Sequence, residues 1–170
     1  MPLDALRAKA ASVLESCRRA GLSLVTAESC TGGLVAGCLT EIAGASDVVE
    51  RGFVTYSNQA KTDLLGVPAA LIEAHGAVSE AVARAMAEGA LAHSPADMSV
   101  AVTGVAGPGG GSASKPVGLV FVAAARRYGG MRVERHLLAG DRRAVRAQAV
   151  AAALDLCRAM VEVAPPEARA

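Results

Sequence analysis

The chain has 170 residues, 52% of them hydrophobic and 19% charged, with a formal net charge of +1. Such a chain can bury one substantial core and is not disordered, and its near-neutral charge gives no field to recruit nucleic acid or an anionic membrane. It has 38 alanines, 14 arginines against three lysines (Lys9, Lys61, Lys115), and four aromatic residues (Phe53, Tyr56, Phe121, Tyr128), too few for a platform on which single-stranded nucleic acid stacks.

In chain order, Leu3, Leu6, Ala10, Val13, Leu14 and Cys17 recur at helical spacing, with Gly21 where a left-handed cap would fall, which predicts a helix over about residues 3–20. Residues 22–27 are β-prone and stop at Glu28-Ser29-Cys30-Thr31-Gly32-Gly33. Leu34, Val35, Cys38, Leu39 and Ile42 then resume a helical period up to Gly44. Residues 48–57 read as a second strand, and residues 58–65 as a short helix ended by Gly66 and Pro68. Ser79 is the N-cap of a helix to about His93, and residues 98–103 form a third strand before a glycine-rich loop at 104–114. Strands at 117–126 and 131–138 turn at Gly129-Gly130 as a hairpin. Asp141 caps a last helix to about Val163, with Val145, Ala149, Ala152, Leu156 and Met160 as its stripe. Alternating helices and strands predict a single three-layer α/β/α domain over residues 1–163, with a mixed, mostly parallel sheet of about five strands, followed by a tail at 164–170.

Cys17, Cys30, Cys38 and Cys157 form no CxxC pair and match neither a zinc site nor a redox motif. The first residues lack a basic segment followed by an apolar one, and the apolar runs at 117–125 and 147–154 fall short of the ~20 residues of a membrane span. The expectation is a reduced, cytoplasmic protein with no membrane or nucleic-acid partner.

Ser29 sits where a strand ends and a helix begins, the place where open α/β sheets bind ligands, and Cys30, Thr31, Gly32 and Gly33 offer backbone N–H groups for an oxyanion. An ordinary N-cap serine on a glycine turn has the same pattern. A hydroxyl nucleophile needs a base, and no histidine lies at a comparable strand end. Lys61 can serve if burial lowers its pKa, whereas an arginine cannot. It follows Phe53, Tyr56, Ser57 and Asn58 across a strand-to-helix junction. Thr103, Gly104 and Gly107 open a loop able to bring N–H groups to a phosphate, although its spacing is that of neither a P-loop nor a dinucleotide fingerprint. Arg142, Arg143 and Arg146 in the first turns of the last helix oppose its dipole, which an anionic ligand at Arg143 or Arg142 would reverse. Ser112-Ala113-Ser114-Lys115 is formally an SxxK match, but Pro116 disfavours the helix that this chemistry needs.

Taken in order, Thr26-Ala27-Glu28-Ser29-Cys30-Thr31-Gly32-Gly33, Glu50-Arg51-Gly52-Phe53-Val54-Thr55-Tyr56-Ser57-Asn58, Ala60-Lys61, His75-Gly76-Ala77-Val78-Ser79, Thr103-Gly104-Val105-Ala106-Gly107-Pro108, Lys115-Pro116-Val117-Gly118 and Gly140-Asp141-Arg142 resemble the CinA C-terminal domain family over about residues 5–160. The resemblance implies a nicotinamide-nucleotide amidase of the PncC type, which turns nicotinamide mononucleotide and water into nicotinate mononucleotide and ammonia in pyridine nucleotide recycling. It implies a Ser/Lys pair at Ser29 and Lys61, with Tyr56, Thr103 and Arg143 at further active-site positions, no metal, no cofactor, and a dimeric or larger assembly. Longer members carry a further N-terminal domain, whose function is not expected here. Ser46 is another family serine, which leaves the nucleophile open between Ser29 and Ser46. Two competing readings remain: Cys30 as a thiol nucleophile at the same helix start, and a nucleotide-binding regulatory module that performs no chemistry.

Overall fold

A computed structural model describes residues 3–162, so the tail expected at 164–170 lies outside the described residues. The elements are α1 (Leu3–Ala20), β1 (Leu24–Glu28), α2 (Leu34–Thr40), a 3-10 turn (Ala45–Asp47), β2 (Val49–Val54), α3 (Asn58–Leu65), α4 (Ala69–His75), α5 (Glu80–Ala92), β3 (Met98–Gly104), β4 (Leu119–Arg126), β5 (Met131–Leu137) and α6 (Arg142–Val161). The sheet order is β2-β1-β3-β4-β5. β1 runs parallel to both β2 and β3, and β4 runs antiparallel to both its neighbours. Four strands therefore point one way and only β4 is reversed, which is the mixed, mostly parallel sheet expected.

Alternation along the central strands divides the core into two layers. Met98, Val100 and Val102 of β3 and Val120, Val122 and Ala124 of β4 face a cluster built on α1, α2 and α6. Ala101, Phe121, Ala123 and Ala125 face the other cluster, built on α5 with Leu65 and Ile72. Every residue of β1 is buried, as a strand covered on both faces requires. Small side chains let these layers approach closely. A Cβ at Gly89 of α5 would lie 2.0 Å from the Leu65 carbonyl oxygen, so glycine there lets α5 seat the end of α3, the helix that carries Lys61. Among the described residues, no helix is long and apolar enough to cross a membrane.

Two features depart from the reading by periodicity. α4 went unpredicted because a seven-residue helix that buries only Ile72 has almost no period to detect. β2 ends at Val54, short of residue 57, because the backbone leaves the sheet there and Ser57 becomes an N-cap whose Oγ accepts from the Ala60 N–H at 3.0 Å. That early exit matters for the site. It leaves the carbonyls of residues 55–57 available beside the carboxyl ends of β1 and β3, where open parallel sheets bind ligands.

Candidate active site

Ser29 follows β1 directly, and its N–H donates to the Val102 carbonyl of β3 at 2.9 Å. On the other side, the Thr55 N–H donates to the Glu28 carbonyl at 2.8 Å, so the nucleophile candidate stands between two strand ends. Lys61, on the first turn of α3, reaches back to it: Nζ lies 3.1 Å from Ser29 Oγ, 2.8 Å from the Thr55 carbonyl and 3.4 Å from the Ser57 carbonyl. The Lys61 side chain is 1% exposed. No carboxylate pairs with it among the described residues. Burial holds its amine below the usual lysine range, against a smaller opposing contribution from Cys30. A neutral amine has two N–H donors and one lone pair. Two carbonyls, which only accept, take the donors, and the lone pair is left for the Ser29 hydroxyl proton.

The Ser29 turn is held from two sides. The buried Glu28 carboxylate accepts from the N–H groups of Gly33 (3.0 Å), Val35 (3.0 Å) and Ala36 (2.9 Å), so it occupies the N-terminus of α2 from inside the protein. Arg146 of α6 donates to the Cys30 carbonyl (3.1 Å) and the Thr31 carbonyl (2.9 Å). The Gly32 N–H closes the turn on the Ser29 carbonyl at 3.0 Å. Gly32 and Gly33, at φ 60° and 96°, allow this left-handed path.

A cleft of about 280 Å³ opens over the pair, and Ser29, Cys30, Tyr56, Asn58, Lys61, Ala77, Val78, Thr103, Gly104, Gly107 and Arg142 are among its lining residues. The Thr103 hydroxyl donates to the Ala77 carbonyl at 2.8 Å, which joins β3 to the opposite wall. Arg142 spans the mouth, with one nitrogen 2.8 Å from the Gly107 carbonyl and the other 2.8 Å from the Tyr56 hydroxyl. The cleft thus holds a serine, a buried amine and one arginine at its rim.

A sequence profile of the CinA C-terminal domain matches residues 6–161. The chain belongs to the CinA C-terminal domain family. It is 54% identical to a putative competence-damage inducible protein of Symbiobacterium thermophilum over 81% of this chain and 34% of that protein. It is 55% identical to a CinA-like protein of Akkermansia muciniphila over 74% of this chain and 30% of that protein. The chain thus spans about a third of the length of the curated relatives it matches. Among solved structures, competence/damage inducible protein CihA of Agrobacterium tumefaciens superposes with a TM-score of 0.89 at 49% identity, covering 91% of this chain and 94% of that one. A CinA superfamily protein of Escherichia coli superposes with a TM-score of 0.88 at 35% identity, covering 96% and 93%.

In this CinA domain the expected site residues separate. Ser29, Lys61, Tyr56, Cys30, Thr103, Gly104 and Gly107 come together in the cleft. The N–H groups of Gly32 and Gly33, expected to face an oxyanion, are engaged instead by the Ser29 carbonyl and by Glu28. Thr31 lies buried under the turn, with its hydroxyl unpartnered. Ser46 stands exposed in the 3-10 turn ahead of β2, at the opposite end of the strands from Ser29. Arg143 lines an adjoining cavity of about 490 Å³, and its neighbour Arg142 is the arginine in the cleft. Tyr56 bonds Arg142, while Lys61 is held by the carbonyls on either side of that tyrosine. The Lys115 amine of the SxxK match donates to the His75 carbonyl rather than to Ser112, and residues 112–115 form no helix.

Glu28 and Arg146 were missed as site residues. Arg146 had a signal, since it lies one helical turn from Arg142 and shares its face. Burial pushes the Cys30 thiol up to about 11, against the smaller opposing effects of its own backbone N–H, Arg146 and Lys61, so this sulfur is not a poised thiolate. Cys30→Ala is expected to keep amide hydrolysis within about 3-fold of wild type, as an acceptor of acyl groups would not; an ammonia assay on the variant checks it.

Proposed function

We propose that this CinA domain is an amidohydrolase that converts nicotinamide mononucleotide and water to nicotinate mononucleotide and ammonia through a Ser29 acyl-enzyme. The observation that carries this reading is the buried Lys61 amine, unpaired with any described carboxylate and 3.1 Å from Ser29 Oγ. Neutral Lys61 takes the Ser29 proton as Oγ attacks the carboxamide carbon. Charge builds on the carboxamide oxygen, and the N–H of the cleft-lining Cys30, which neither the Glu28 carboxylate nor the Ser29 carbonyl engages, is the donor for it. The Lys61 ammonium then gives its proton to the departing nitrogen, ammonia leaves, and an ester on Ser29 remains. Water, deprotonated by the same amine, hydrolyses that ester and regenerates Ser29.

Arg142 at the rim and the N–H groups of the cleft-lining Gly107, Gly109 and Gly110 suit a phosphate at the far end of the ligand, where binding energy remote from the reacting bond can support catalysis. The Tyr56 hydroxyl accepts from Arg142 and so orients it at the rim. This scheme uses no metal or cofactor. A cytoplasmic homo-oligomer with a small nucleotide as its ligand is the setting it fits.

Incubation with nicotinamide mononucleotide is expected to release ammonia, and Ser29→Ala is expected to abolish it. Activity persisting in Ser29→Ala would overturn the scheme. Because only neutral Lys61 accepts a proton, kcat/KM is expected to rise with pH to a midpoint below the ordinary lysine value of about 10.4, as burial dictates. A pH profile that is flat from acid to alkaline conditions would argue against Lys61 as base.

A further inference from the structure

The turn after β1 carries a feature that a Ser/Lys pair alone does not require. Arg146 donates to two successive carbonyls, Cys30 at 3.1 Å through Nε and Thr31 at 2.9 Å through a terminal nitrogen. Each of those carbonyls belongs to a peptide group whose other end is an N–H. The Cys30 carbonyl shares its peptide with the Thr31 N–H, and the Thr31 carbonyl shares its peptide with the Gly32 N–H. The Gly32 N–H donates in turn to the Ser29 carbonyl at 3.0 Å. That carbonyl shares its peptide with the N–H of Cys30, a residue that lines the cleft beside Ser29. A guanidinium therefore stands at the head of a hydrogen-bonded chain of two peptide groups that ends on a cleft-lining donor.

We infer that Arg146 is a positioning residue for the oxyanion: it fixes the Ser29 turn and polarises the N–H of Cys30, the residue that lines the cleft beside Ser29. Donation to a carbonyl withdraws electron density from its peptide group and strengthens its N–H as a donor, and successive bonds reinforce one another by about 10–30% each. Here the first donor in the chain carries a full charge, and charge-assisted bonds are the stronger kind. No described carboxylate forms an ion pair with Arg146 that would compete for its guanidinium. Glu28 grips the far side of the turn through the N–H groups of Gly33, Val35 and Ala36, so the turn is anchored on both sides of the Cys30 and Thr31 peptides. Arg142, four residues earlier on the same helix, reaches the cleft mouth. One face of α6 thereby serves both ends of the site.

This inference rests on the Ser29 and Lys61 reading, and the test separates the two. Its readout is the rate at which an alkyl fluorophosphonate labels Ser29: Oγ bonds phosphorus, the P–F bond breaks, fluoride leaves, and Lys61 takes the serine proton. The phosphoryl oxygen stands in for the oxyanion, so the assay needs no natural substrate. Arg146→Gln is expected to slow labelling about 10- to 100-fold, and to lower kcat on nicotinamide mononucleotide similarly, with KM changed less than about 3-fold. The pH midpoint set by Lys61 is expected to stay in place. Arg146→Lys, which keeps the charge and fits the space, is expected to recover part of the loss, and added guanidinium is expected to raise the rate of Arg146→Gly. A purely structural arginine would lower the melting temperature without the split between kcat and KM and without guanidinium rescue. Labelling of a folded Arg146→Gln variant at the wild-type rate would overturn the inference while leaving the Ser29 and Lys61 scheme intact. Equal labelling of Ser29→Ala and wild type would overturn both.

Discussion

Replacing Lys61 with methionine is expected to lower kcat/KM for amide hydrolysis by roughly 10²- to 10⁴-fold, the usual worth of a positioned general base, while the protein stays folded. Methionine fills a similar volume without an amine. Loss of fold would not explain the result, because the lysine is a cost to the folded state whenever it is protonated. Burial lowers its pKa, so between that lowered value and the ordinary one the unfolded chain binds more protons than the folded chain. Stability contributed at this site therefore rises with pH across that window, and below it the full penalty of a buried charge applies. Lys61→Met removes the penalty, so the variant is expected to melt at or above the wild-type temperature near neutral pH, and the pH slope in this window should flatten. Lys61→Arg is the complementary substitution. It keeps a cation but has no accessible neutral form, so it is expected to be as inactive as the methionine variant. Ammonia release at the wild-type rate by either variant would exclude Lys61 as the base.

Glu28→Gln is expected to cost both stability and activity. The carboxylate oxygens receive three backbone N–H groups at 2.9–3.0 Å and the Thr26 hydroxyl at 3.3 Å. A carboxamide keeps only one of those acceptors and turns an NH₂ toward the donors of the other. If the NH₂ replaces Oε2, the Gly33 and Val35 N–H groups lose their partner. Two orphaned donors at about 1–3 kcal/mol each make roughly 2–6 kcal/mol of destabilisation. Chemical denaturation gives that number directly. The same variant is expected to lose activity even under conditions where it is folded, because the Ser29 turn is then gripped by Arg146 alone. Unchanged denaturation midpoint and unchanged kcat together would show that the carboxylate is dispensable. Glu28→Asp is the finer probe: it retains the charge on a shorter arm, which cannot reach all three N–H groups at once.

Most of the architecture was legible along the chain because its information is local. The helices α1, α5 and α6 announce themselves by period, and Ser79 and Asp141 mark helix starts that the structure uses as N-caps. The strand-turn-helix at Ser29 and the hairpin of β4 and β5 are likewise local patterns. Where that information is thin the reading failed: α4 has too few turns to show a period, and the last residues expected of β2 belong to the junction that holds Lys61. The site was legible in part. Ser29, Lys61, Tyr56 and Thr103 share one cleft, whereas Ser46 and Arg143 were expected beside them and lie elsewhere, and the N–H groups of Gly32 and Gly33 are engaged within the turn.

Composition and motif order were sufficient for the family, the layered α/β fold and the residue types able to do chemistry, because each depends on short stretches of chain. Three lysines in 170 residues already made Lys61 conspicuous. The base role proposed for it, however, depends on a 1% exposed side chain, two carbonyls from the junction after β2, and a serine 32 positions earlier in the chain, none of which is encoded locally. The same holds for Arg142 over Arg143 and for Arg146 beneath the Ser29 turn. Adjacent residues on a helix point about 100° apart, so only the docking of α6 against the sheet decides which arginine enters the cleft and which one bonds the turn after Ser29.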